Sequence, residues 1–100
     1  MKYNKLVRDG IPEYIKGRGE EAKWHVADRK EYSMKLKEKL VEEAAEFLKN
    51  ESIEEIADLL EVIETICVFR KFDRGEIEKV RSEKATKQGK FERRIILDES

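Results

Sequence analysis

Apolar residues recur at helical intervals over two long stretches of this chain. In the first, Tyr32, Leu36, Leu40, Ala44, Phe47 and Leu48 keep the spacing that gathers side chains on one face of a helix. Asp28 suits the N-cap position, so a helix is predicted from there to about Lys49. Asn50 and Glu51 make a tight connection, and Ser52 caps a second helix that runs to about Phe72. This one carries Ile53, Ile56, Ala57, Leu59, Leu60, Val62, Ile63, Ile66, Cys67, Val68 and Phe69. At about 100° per residue these positions cover well over half of the circumference. A helix so apolar must be covered on several sides. The short connection predicts an antiparallel hairpin, and two such hairpins from two chains would form a four-helix bundle that covers it. A homodimer or larger homo-oligomer is therefore expected.

The flanks are less regular. Ile11-Pro12 opens a short helix ending near Gly17, and Gly17-Arg18-Gly19 reads as a loop. Lys23 to Ala27 reads as a short strand. A third helix is predicted over Gly75 to Gln88, with Gly89 suited to the C′ position. The tail from Phe91 to Leu97, with Ile95 and Ile96, reads as a strand that pairs with the 23–27 segment. The fold class is all-α in a single domain over residues 1–100, a helical hairpin plus a third helix with short terminal extended segments.

Charge narrows the function classes. Lys plus Arg number 22 and Asp plus Glu 23, so the net charge is −1 although 45% of residues are charged. A generic nucleic-acid binder needs a basic excess that is absent here. Cys67 lies in the apolar stretch Ile66 to Phe69 and reads as a small buried hydrophobe. With one cysteine there is no disulfide framework and no zinc spacing, which fits a reducing cytoplasm. The longest run free of charge is Thr65 to Phe69, so neither a signal peptide nor a membrane span is predicted.

The candidate chemistry lies in two acidic motifs, Glu42-Glu43-x-x-Glu46 on the first long helix and Glu55-x-x-Asp58 on the second. Each supplies an i,i+3 pair that projects from one side of its helix. Glu43 falls within the apolar stripe near Tyr32 and Leu36, Glu46 lies at its edge, and Glu42 points away. Glu55 falls among Leu59, Val62 and Ile66, and Asp58 borders Val62 and Phe69. Carboxylates aimed at an apolar interior are costly unless they pair, stay protonated or bind a cation. Four hard oxygen ligands suit Mg²⁺, with Mn²⁺ as a substitute.

Ordinary helix chemistry accounts for the same spacing. Ser52-x-x-Glu55 fits a capping box. Glu43 can pair with Lys39, and Glu46 with Lys39 or Lys49. In a chain this rich in Glu, Glu38, Glu61 and Glu64 read as solvated or structural. Both readings stand at this level. A di-iron bundle requires Glu-x-x-His motifs, and the one histidine, His25, lies outside both long helices. Nucleophilic triads and phosphate-binding glycine loops are not visible. Cations that could meet a metal-held phosphate sit toward the two ends: Lys5 and Arg8, then Lys84, Lys87, Lys90, Arg93 and Arg94.

With these residues the chain resembles the all-α nucleoside triphosphate pyrophosphohydrolase superfamily, which includes MazG proteins and phosphoribosyl-ATP pyrophosphohydrolase. The hallmark E-E-x-x-E followed by E-x-x-D is matched by Glu42, Glu43, Glu46, Glu55 and Asp58. A small branch of house-cleaning pyrophosphatases is similar over nearly the whole chain. It shares Lys5-Leu6-Val7-Arg8-Asp9 with Ile11-Pro12, Lys39-Leu40-x-Glu42-Glu43, Glu54-Glu55-x-Ala57-Asp58-Leu59-Leu60-Glu61-Val62-Ile63, Glu83-Lys84 and Gly89-x-Phe91. The chain departs from that branch at Gly10, where Lys is expected, and at Gln88 and Lys90, where Arg and Gly are expected.

The resemblance implies hydrolysis of a nucleotide to its monophosphate and pyrophosphate, with Mg²⁺ held by Glu43, Glu46, Glu55 and Asp58. It implies Glu42 or Glu61 as the group that orients or deprotonates the attacking water. It places Lys5, Arg8, Lys39, Lys84, Lys87 and Arg93 on the substrate's charge, and Phe91 or Trp24 against its base. The alternative is a non-catalytic helical dimer that binds a nucleotide or a protein partner, its carboxylates serving as caps and ion pairs.

Overall fold

The computed structural model describes residues 4–100; residues 1–3 lie outside the described residues, so the basic N-terminal stretch is described from Asn4 onward. The described residues form four α-helices: α1 (Ile11–Gly17), α2 (Arg29–Lys49), α3 (Ile53–Arg70) and α4 (Arg74–Gln88). The chain divides into two compact units, Met1–Ile66 and Cys67–Ser100, with the division falling inside α3.

The long helices start where side-chain oxygens meet their unpaired N–H groups. The Asp28 carboxylate accepts from the Glu31 N–H at 2.8 Å, and the Ser52 hydroxyl accepts from the Glu55 N–H at 3.2 Å. Both caps agree with the sequence pattern. In the first unit the three residues Asn50 to Ser52 turn α2 back into α3. Leu36 at 2% exposure and Val62 at 8% are the buried apolar residues among those described, and Glu43 at 8% is buried with them. Ahead of α1 the chain runs over the hairpin, where the Lys35 ammonium donates to the Asn4 carbonyl at 2.8 Å.

The second unit holds the last turn of α3, then α4 and the tail. α3 stops at Arg70 rather than near Phe72. Lys71 adopts a left-handed conformation (φ 58°), its N–H bonds to the Val68 carbonyl at 3.2 Å, and the Phe72 N–H bonds to the Cys67 carbonyl at 2.9 Å. This is a Schellman ending with lysine where glycine is usual. Asp73 then caps α4 through the Glu76 N–H at 3.0 Å, so α4 begins at Arg74, one residue before the predicted Gly75. Gly89 follows the last turn at φ 83°, a conformation that favours glycine.

One sequence expectation is corrected. No strand forms among the described residues, neither over 23–27 nor over 91–97. A strand exists only through partner N–H and C=O groups, and β-branched residues such as Ile95 and Ile96 cannot create it alone. One face of α3 stays exposed, in line with the expectation that a single hairpin does not cover this helix. Ile53 is 89% exposed and Leu60 58%, with Ile56 and Ile63 also exposed. These four recur at i, i+3, i+7 and i+10 and so share one helix face.

Candidate metal centre

Glu43 lies seven residues before Asn50, and Glu55 and Asp58 lie five and eight residues after it. At about 1.5 Å of rise per residue, all three sit at similar heights above the turn. The antiparallel hairpin therefore brings them together: one oxygen from each lies within 4.8 Å of the others. Glu43 is buried, and Glu55 and Asp58 are half-buried. The donor set is three carboxylates with no nitrogen or sulfur, which fits a hard divalent cation such as Mg²⁺ or Mn²⁺.

Glu46 is exposed and stands outside this trio, although its charge is felt at Glu55. Desolvation raises the Glu55 carboxyl above the ordinary carboxylate range, and the charges of Asp58, Glu43, Glu46 and Glu54 raise it further. These four neighbours are all anionic, so the ionised form of Glu55 is opposed from several directions.

Basic side chains crowd the other members. Lys39 lies 3.4 Å from Glu43 and 3.4 Å from Glu42 on the same helix. Lys5 reaches Glu42 at 3.1 Å, and the Arg8 guanidinium donates to Asp58 Oδ1 at 2.8 Å. Partial burial would raise Glu42, but the Lys5 hydrogen bond and the charge and hydrogen bond of Lys39 outweigh it and hold the carboxyl below its usual range. Lys5, Arg8 and Lys39, expected as phosphate ligands, are thus found on carboxylates.

Glu61 is exposed, one turn beyond Asp58 on α3 and outside the trio. Lys84, Lys87, Phe91 and Arg93 belong to the second unit, where all four are exposed and Phe91 fully so. Lys87 in the last turn of α4 also complements the negative helix end. Trp24 lines a shallow hollow of about 370 Å³ with Pro12, Glu13, Lys16, Glu20, Glu21 and Ala22, which none of the carboxylate trio borders. His25 bonds to Glu31 at 2.8 Å. The N-terminal ion pairs span 50 and 37 positions of sequence, and no local pattern signals a contact of that range.

No protein-family model, curated protein or solved structure matches the chain. No helix among the described residues is long and apolar enough to cross a membrane.

Proposed function

We propose that the protein is a divalent-metal-dependent nucleotide pyrophosphohydrolase, which cleaves a nucleoside triphosphate or related nucleotide to the monophosphate and pyrophosphate. The carrying observation is the trio Glu43, Glu55 and Asp58, converging within 4.8 Å across two helices with Glu43 buried. The motif resemblance to the all-α pyrophosphohydrolases supports the same reading. Removal of non-canonical nucleotides is the role the resemblance suggests.

Glu43, Glu55 and Asp58 would hold Mg²⁺, with Glu46 available from the adjoining turn. A bound divalent ion supplies charge neutralisation at the phosphate oxygens and lowers the pKa of its water. Glu42, held ionised by Lys5 and Lys39, is a weak base and acts through orientation. Glu61, exposed and one turn from Asp58, is the base assigned to the attacking water. Arg8 and Lys5 from the N-terminal segment would neutralise the polyphosphate. The working form is a homodimer or larger homo-oligomer that covers the exposed face of α3.

The test is a pyrophosphate-release screen with Mg²⁺ across canonical, deoxy and damaged nucleotides and phosphoribosyl-ATP. Pyrophosphate rather than orthophosphate is expected, and Glu43→Gln is expected to abolish it while helix content is kept. Background turnover across the whole panel rejects catalysis.

The ion pairs on Glu42, Glu43 and Asp58 favour the second reading, a non-catalytic helical dimer that binds a nucleotide or a protein partner. Thermal melts separate the two readings. A centre that binds Mn²⁺ gains about 2.7 kcal/mol when the metal stands at about 100 times its Kd. No change in the wild-type Tm at millimolar metal decides for the ion-pair reading.

A further inference from the structure

The N-terminal segment does more than precede the first helix. Asn4 is tied to Lys35 on α2, Lys5 to Glu42 on α2, and Arg8 to Asp58 on α3. Within five residues the segment touches both helices of the hairpin. It delivers a guanidinium to a carboxylate that is itself one of the three converging ligands. We propose that Arg8 is the built-in counter-cation of this centre: a divalent cation competes with it for Asp58 and releases it toward an incoming phosphate. This inference rests on the reading of the trio as a metal centre.

The competition follows from charge. Asp58 has two oxygens, so a metal ion need not take the one that Arg8 holds. A doubly charged ion on the same carboxylate nevertheless withdraws the negative charge that holds the guanidinium and repels it directly. Arg8 and Asp58 are both substantially exposed, so the pair is weak enough to open. Once freed, a planar guanidinium is well matched to a phosphate's paired oxygens. The metal-free protein then has its phosphate ligand neutralised, and metal and phosphate binding become positively coupled.

The experiment titrates the full chain with Mn²⁺ by calorimetry, then titrates the Mn²⁺-loaded protein with pyrophosphate. Arg8→Ala is expected to bind Mn²⁺ about two- to fivefold more tightly than wild type, the scale of one exposed ion pair. The same variant is expected to bind pyrophosphate more weakly. Arg8→Lys should stay near wild type in metal affinity. Arg18→Ala, which removes an equal charge from the pair with Glu20, should leave metal affinity unchanged. Opposite signs for the two ligands are the signature, because a structural role for Arg8 would weaken both. Unchanged or weaker Mn²⁺ binding by Arg8→Ala, with wild type binding normally, overturns the counter-cation role and leaves the metal centre intact. Absence of Mn²⁺ binding by wild type overturns both. If Arg8→Ala loses helix content, Arg8→Gln is read by the same criteria.

Discussion

Leu60→Asp is expected to break the proposed self-association through α3 while leaving the helices in place. Leu60 sits mid-helix on the face of α3 that also presents Ile53, Ile56 and Ile63, and it keeps 58% of its surface in water. Fully burying a leucine side chain is worth about 1.5–3 kcal/mol, so covering the remaining exposed part yields about 1–2 kcal/mol. In a two-fold symmetric interface each residue occurs twice, which makes the loss about 2–4 kcal/mol per dimer. That corresponds to about a thirty- to thousandfold rise in the dimer Kd. The Asp carboxylate adds a further penalty because it would be desolvated against apolar neighbours.

Sedimentation equilibrium over a wide concentration range reads this directly, with circular dichroism to confirm that helix content is retained. A wild-type protein that remains monomeric at every concentration refutes the reasoning about α3. A Leu60→Asp variant that associates as tightly as wild type shows that the interface lies elsewhere on the chain.

Glu55→Gln should raise the Tm of the metal-free protein near neutral pH and remove the metal-induced rise. The Glu55 carboxyl is raised in the folded state, so the fold binds the proton better than the unfolded chain does, and stability falls as pH rises through the raised value. The advantage of Gln is therefore full above that pH and fades in melts at progressively lower pH; an advantage that grows on acidification contradicts the assignment. Lys71→Gly should stabilise the protein by about 0.5–1 kcal/mol, because lysine at φ 58° carries a left-handed strain that glycine does not. Urea unfolding measures it, and a destabilised variant would mean that the lysine side chain contributes more than its backbone costs.

Local chemistry was legible in the sequence, whereas long-range contact was not. Asp28 and Ser52 mark their helices because a cap acts within three residues, and the short link between them forces the hairpin. The phase of Glu43 and Glu55 against the apolar stripes was also readable. It placed both carboxylates near the seam, where the trio converges with Asp58. Glu46, one turn along, falls outside the trio because a helix edge position depends on the rotation of α2, which the sequence leaves open. α3 ends two residues before the end its apolar pattern predicts, since a lysine in the left-handed region leaves no compositional mark. Ile95 and Ile96 suggest a strand in the tail, although strand formation depends on a partner more than on residue type. The Arg8–Asp58 pair links ends of the first unit that no periodicity connects.

The distribution of charge around the centre identifies its least compensated member. Leu36, Val62 and Glu43 are the buried residues among those described, so a carboxylate occupies one of very few interior positions. Burial makes Glu43 look like the strained group, yet Lys39 stands 3.4 Å from it, Asp58 has Arg8, and Glu42 has both Lys5 and Lys39. Glu55 differs, because the charged neighbours that shift it are all anionic. Neutralising Glu43 exchanges one partly paired charge for another arrangement, whereas neutralising Glu55 removes the repulsion itself. An added divalent charge therefore gains most from its proximity to Glu55. Of the three carboxylates, Glu55 is the one whose substitution by Gln should combine the largest loss of the proposed metal affinity with a gain in stability of the metal-free protein.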